Sequence, residues 1–181
     1  MTTIYSFEPI ENKHARVLIL GSMPGQPSLT ANQYYAHTQN AFWRIMAEFL
    51  QLNPASLYEE KIQALKSAHI ALWDVLQSCK RVGSLDSMIA SDTQIANDFP
   101  TFFHCHKQIT HVFFNGTKAE ACFKRHVLAK INTDSIHLVR LPSTSPAHAT
   151  LSYERKLAIW KQELGIRNLI NNPNGRAHDV T

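Results

Sequence analysis

Val17-Leu18-Ile19-Leu20 runs directly into Gly21-Ser22-Met23-Pro24-Gly25. An unbroken apolar run closed by turn formers has the form of a strand buried on both faces; a half-exposed strand would alternate apolar and polar residues. Three more runs share that form: His69-Ile70-Ala71-Leu72-Trp73, His111-Val112-Phe113-Phe114 and Ile136-His137-Leu138-Val139-Arg140-Leu141. Helical patterns separate them. Phe42, Ile45, Met46, Phe49 and Leu50 make an i, i+3, i+4, i+7, i+8 stripe over 41–50. Asn53-Pro54 reads as an N-cap with proline at the first helical position, opening a helix to about Ser67. Thr117 and Glu120 read as a capping box before a helix to about Lys130. Ser152 can cap a last helix carrying Leu157, Trp160 and Leu164. A weaker helix over 92–106 is interrupted by Pro100, and 78–91 has no clear period, which leaves it as loop with one helical turn at most. Strands alternating with helices predict an α/β fold, a three-layer α/β/α sandwich around a central, mainly parallel four-stranded sheet.

The chain has 181 residues, of which 44% are hydrophobic and 18% charged. That composition excludes disorder for the bulk of the chain and suits one domain. The domain is expected over 1–170, followed by a flexible, polar and turn-rich tail over 171–181. No apolar run approaches the ~18 residues of a membrane span. The N-terminal stretch lacks the basic-then-apolar order of a secretory signal, so no membrane association is expected. Lysines and arginines number 18 against 14 acids. The surplus is compatible with a polyanionic partner and too mild to establish one. Cys79, Cys105 and Cys122 are widely spaced, as expected of reduced thiols in a cytoplasmic protein. Three thiols cannot supply a four-cysteine zinc or iron–sulfur site. No metal and no cofactor is expected, and the chain is expected to be a monomer.

In a sheet of this kind ligands bind beyond the carboxyl ends of the strands. Those ends carry Gly21-Ser22-Met23-Pro24-Gly25, then Asp74, then Asn115-Gly116-Thr117-Lys118, then Pro142-Ser143-Thr144-Ser145-Pro146. Glycine and serine amides next to a following segment suit an anion, phosphate above all, although any strand-to-helix connection also needs turn residues. Tyr34-Tyr35-Ala36-His37-Thr38-Gln39-Asn40 precedes the 41–50 helix. It adds aromatics that can stack on a base and amides that can donate, accept or hold a water. Asn40 also stands where an N-cap belongs.

Three of these blocks together resemble the uracil-DNA glycosylase superfamily. Gly21-Ser22-Met23-Pro24-Gly25 is similar to its G-I-N-P-G loop. Tyr35-Ala36-His37-Thr38-Gln39-Asn40-Ala41-Phe42-Trp43 is similar to its F-A-H-P-x-N-R-F-W run. Leu141-Pro142-Ser143-Thr144-Ser145-Pro146-Ala147-His148 is similar to its M-P-S-S-S loop. The blocks fall in the right order over about 14–165, nearly the whole chain. Met23 departs from the pattern, because that slot usually holds an Asn or Asp that positions the attacking water. The form found here, with Leu72-Trp73-Asp74-Val75 and Phe114-Asn115-Gly116, is most similar to the hypoxanthine-DNA glycosylase branch, also called DNA-deoxyinosine glycosylase.

The resemblance implies a repair enzyme that flips deoxyinosine out of single- or double-stranded DNA containing deaminated bases and hydrolyses its glycosidic bond. In that branch the chemistry is assigned to an Asn before the first helix, a position that matches Asn40; it would orient water toward C1′. Asn115 would donate to O6 or N7 of the leaving base. Tyr35 would stack on the base beside Met23. Asp74 would accept from N1–H and reject adenine, whose N1 is an acceptor. Ser22, Ser143, Thr144, Ser145 and His148 would hold phosphates. Uracil presents an N3–H as well, so a uracil-directed glycosylase is the nearest alternative. A non-catalytic nucleic-acid-binding module and a small-nucleotide hydrolase are the others.

Overall fold

The computed structural model describes residues 2–165, so the tail expected over 171–181 lies outside the described residues. In chain order the elements are β1 (Thr2–Tyr5), β2 (Val17–Gly21), α1 (Gln26–Ala31), α2 (Phe42–Leu50), α3 (Tyr58–Ser67), β3 (Ile70–Asp74), β4 (Leu76–Arg81), β5 (Ile95–Ala96), α4 (Phe99–Cys105), β6 (His111–Asn115), α5 (Thr117–His126), β7 (His137–Leu141) and α6 (Tyr153–Gly165).

The four apolar runs become a four-stranded parallel sheet in the order β3-β2-β6-β7. Leu20 stands opposite both Trp73 and Phe114, and Asn115 opposite Leu141. The chain leaves β2, pairs β3 on one side of it and later returns to place β6 on the other. That reversal opens a crevice beside the end of β2, where this class of sheet holds its ligands. Helices α2, α3 and α6 pack together. Phe99 of α4 meets Phe123 of α5 and Trp73 of the sheet. The two helix groups flank the sheet and give three layers, and buried residues from Ile10 to Leu164 form one continuous core.

Several local expectations are corrected. Strand β7 is an edge, with His137 and Arg140 exposed, so its apolar run is not buried on both faces. The segment read as aperiodic contains β4, which joins β1 and β5 in a second, antiparallel sheet. An irregular register between Leu76 and Ser78, and the inward-facing polar Ser78 and Arg81, break the alternation that would have announced the strand. Pro100 does not interrupt α4. It sits in the first turn, where no hydrogen bond is lost, and Asp98 caps that turn by accepting from the Thr101 amide and hydroxyl. Helix α3 starts at Tyr58 because Asn53 instead closes a turn, accepting from the Ala55 amide, while Glu60 accepts from the Leu57 amide. The Thr117 capping box does not form. Gly116, at φ 95°, holds the cap position, and Glu120 pairs with Lys124 and Arg140. Ser152 does cap α6, accepting from the Arg155 amide.

Candidate active site

Strands β2, β3 and β6 end on one edge of the sheet, and the segments that follow them enclose a cavity of about 470 Å³. Gly21, Asp74 and Asn115 supply its floor, residues 34–40 one wall, 143–148 another, and 84–87 a third. All ten residues singled out in the sequence line it: Ser22, Met23, Tyr35, Asn40, Asp74, Asn115, Ser143, Thr144, Ser145 and His148. Among the described residues, no group of three or more His, Cys, Asp or Glu side chains is placed to hold a metal ion.

Gly21 is required by crowding. A Cβ there would collide with Asp74 Oδ1 and stand 2.9 Å from the Tyr35 hydroxyl. Both groups therefore converge on the bare backbone at the end of β2. Tyr35 is held in the left-handed region at φ 54°, a conformation that costs a non-glycine residue of order 1 kcal/mol and persists only where its surroundings impose it. Its ring stacks on Phe42, with centroids 4.1 Å apart and planes 23° apart. One ring face is thus occupied by protein, and the hydroxyl is buried without a hydrogen-bond partner. Burial, reinforced by Asp74, pushes the Tyr35 phenol above its ordinary range.

Asn115 is more engaged than the sequence suggested. Its Nδ2 donates to Thr144 Oγ1 (2.9 Å) and its Oδ1 accepts from the Thr144 amide (2.8 Å). The Thr144 carbonyl in turn accepts from the Ala41 amide (3.0 Å). One threonine therefore joins the end of β6, the 142–148 loop and the start of α2. The second hydrogen of the Asn115 amide faces the Tyr35 hydroxyl, and it is the one that a ligand could take over, since the group carries two. Asn40 is not the N-cap that its position suggests: α2 starts one residue later, with Ala41 as N-cap, and Asn40 Oδ1 accepts from the Phe42 amide (2.9 Å) in an Asx turn leading into the helix, while its nitrogen makes no hydrogen bond among the described residues. Asn40 thus both shapes the entry to α2 and lines the cavity.

The proposed phosphate contacts are not equivalent. The Ser22 hydroxyl donates to Asp86 Oδ1 at 2.7 Å; a phosphate there would meet a carboxylate, so the expected role of this hydroxyl is corrected. Thr144 is 1% exposed and its hydroxyl faces Asn115, so it ties loops together instead of presenting itself to a phosphate. Ser143 and Ser145 accept from the Ser145 and Ala147 amides, which folds the loop into successive turns. Lys156, buried on α6, donates to the Ser145 and His148 carbonyls (3.3 and 2.7 Å), and Trp160 Nε1 donates to the Pro142 carbonyl (2.9 Å). Gly116 allows the close approach of this loop, because a Cβ would stand 2.9 Å from Ser143 Cβ.

The sequence reading missed Asp86, Arg81 and Lys156. Asp86 lies in the stretch without periodicity, and a single acid there carries no spacing that marks it. Arg81 is buried; its Nε donates to the Gly83 carbonyl and its Nη2 to the Pro24 carbonyl. It therefore pins the Met23–Pro24 turn to the 83–87 segment. Burial lowers the Arg81 pKa and raises that of Asp86, the latter opposed by the Ser22 hydrogen bond. Asp74 is buried deepest, and burial first, then the charge of Asp86, push its carboxyl up to about 8. Beyond the cavity mouth a second hollow carries Trp43, Arg44, Tyr58 and Lys61 and shares Tyr35, His37 and Asn40 with the first. Its cations and rings could accept a chain of phosphates and bases.

The sequence profile of the Uracil DNA glycosylase superfamily matches residues 8–164. The chain belongs to that superfamily. As a DNA glycosylase it acts on DNA. The glycosylase is 37% identical over 114 residues to proteins named hypoxanthine DNA glycosylase from Methanosarcina barkeri and Methanosarcina acetivorans, a match covering 62% of this chain and 71% of each relative. Its structure is similar to a solution NMR structure from Methanosarcina acetivorans, provisionally described as a uracil DNA glycosylase. The TM-score is 0.70 at 28% identity, over 89% of this chain and 98% of that one.

Proposed function

We propose that this glycosylase releases hypoxanthine from deoxyinosine in DNA. The observation that carries the reading is buried Asp74 in the lining of a cavity roomy enough for an extruded nucleotide, where its carboxyl can meet the N1–H of hypoxanthine. The names of the two Methanosarcina relatives support the same base.

Deoxyinosine pairs weakly, so extruding it costs less than extruding a well-paired base, and part of the selectivity arises there. Inside, the Asn115 amide donates its remaining hydrogen toward O6 or N7, where charge gathers as the bond to C1′ breaks. Asn40 Oδ1 spends one lone pair on the Phe42 amide; its second can hold a water directed at C1′. An amide is a weak base, and an oxocarbenium-like sugar demands little more. Met23 provides apolar wall.

The test is incubation with oligonucleotides, single- and double-stranded, that carry one hypoxanthine, uracil or xanthine. Free base and abasic sites are then measured. Hypoxanthine release well above the other two is expected. Release of uracil alone would assign the site to a pyrimidine, and binding without release from any of them would make the chain a recognition module.

A further inference from the structure

We propose that Asp74 serves the reaction as a neutral carboxylic acid, kept protonated by burial beside Asp86, and that it hands its proton to the purine as the base departs. This rests on the hypoxanthine reading and adds to it a proton donor.

The geometry separates the two carboxyls. Asp86 Oδ1 accepts from the Ser22 hydroxyl, a bond that favours the ionised form. Asp74 is 4% exposed, and its Oδ2 is buried with no partner. No ion pair reaches either acid among the described residues. The guanidinium of Arg81, which faces them from β4, gives its Nε and Nη2 to the carbonyls of Gly83 and Pro24; its Nη1 is buried without a hydrogen-bond partner, and its charge opposes the rise at both acids without cancelling it. Tyr34 and Tyr35 face Asp74 from the segment before α2, Asp86 from the segment after β4, and Lys118 of α5 acts on Asp86. A buried carboxylate without a donor is costly, and a second negative charge beside it makes it costlier. Two carboxyls in one site then hold one charge, and Asp86 is the one equipped to keep it. The carboxyl of Asp74, pushed up to about 8, agrees with this division.

A carboxylic acid offers C=O and O–H side by side. The lactam edge of hypoxanthine offers N1–H and O6 side by side, so the two are complementary through two hydrogen bonds. An ionised carboxylate would accept from N1–H and repel O6. As the C1′–N9 bond breaks, its electron pair enters the purine and the Asp74 proton crosses to O6, to which it is already hydrogen-bonded; in water the released tautomer moves that proton to N7 or N9. Water adds to C1′ and releases a proton that restores Asp74. The sum is glycoside plus water giving free hypoxanthine and an abasic deoxyribose. An acid so placed contributes about 10²–10⁴-fold in known cases. The same acid reversed would fit adenine, so rejection of adenine rests on the cost of flipping a well-paired base.

The test is the pH profile of single-turnover hypoxanthine release at saturating enzyme, for wild type, Asp74→Asn and Asp86→Asn. It is run alongside the carboxyl-carbon NMR titration of Asp74 in the free protein. The wild-type rate should fall as pH rises through about 8. Asp86→Asn should move that descent to lower pH by removing the neighbouring charge. Asp74→Asn, whose amide can form both hydrogen bonds and give up no proton, should be at least tenfold slower near pH 6.5 and flat above it. A flat wild-type profile, a descent that survives in Asp74→Asn, or an Asp74 carboxyl already ionised at pH 6 would each overturn the acid role. Release that is present and flat removes this proposal alone, whereas no hypoxanthine release at any pH removes the reading beneath it.

Discussion

Asn40 carries two duties on one side chain, and substitutions can separate them. Asn40→Ala loses the bond to the Phe42 amide and the group facing the cavity, so base release should fall ~10²-fold or more, as when a single aligned polar group is removed from other active sites. DNA affinity, which rests mainly on phosphates, should hardly change. The melting temperature should drop by the equivalent of about 1 kcal/mol. Asn40→Asp and Asn40→Ser can both still accept from the Phe42 amide; Ser is too short to reach the same water and should remain slow, and full activity in Asn40→Ser would leave Asn40 as a turn residue only. Asp74 gives a prediction in stability. Its folded pKa of about 8 exceeds the ordinary 3.8, so between those values the folded protein holds a proton that the unfolded chain has released. Stability therefore declines as pH rises through that window and levels off above it. Asp74→Asn removes the penalty. The melting-temperature difference between variant and wild type should widen from pH 4 to pH 8 in calorimetry, and a difference independent of pH would contradict it. At this scale the sequence was informative where type and position coincide, as with Asp74 at a strand end. It was silent on Asp86, whose importance comes from proximity across 64 residues to Ser22.

Among elements, the 142–148 loop is the one whose shape depends most on a distant partner. Lys156 reaches from α6 to two of its carbonyls, and burial lowers the pKa of that ammonium. Lys156→Met keeps the stem and loses both bonds, leaving two carbonyls to find water. A loss of about 1–3 kcal/mol is expected. The KM for the oligonucleotide should rise more than the saturating rate falls, because the loop shapes the site and the lysine touches no reacting atom. An unchanged KM would show that the loop holds its form unaided. The parallel strands were legible because each is an apolar run with turn residues at its carboxyl end. The caps were less so. Proline and Asx-type residues mark the starts of helices, yet the sequence alone does not say whether Asn53 or Glu60 closes the entry to α3, or whether Pro100 ends a helix or opens one. Strand β4 was hidden because its inward face includes Ser78 and Arg81, residues that bury only when a partner is already in place.

For the molecule as a whole, the formal charge of +4 is small beside the field of DNA. A shallow salt dependence is expected, with log affinity falling against log salt at a slope of about −2 to −4, corresponding to a few displaced counterions. Raising salt should therefore increase KM and leave the saturating rate of base release nearly constant; a parallel loss in both would mean that ions also disturb the cavity. The architecture was legible because strand and helix signals alternate along most of the chain. The small sheet escaped because β1 lies more than seventy residues before the strand it pairs with, and β5 is only two residues long. The linkage Asn115–Thr144–Ala41 has a further consequence in timing. Loops from three remote parts of the chain are tied before any substrate arrives, so the conformational entropy of assembling the pocket was surrendered during folding. The encounter with DNA then has only the nucleotide left to rearrange, and a crystal of the protein with an extruded base should superimpose on the free form at these three residues to within about 1 Å.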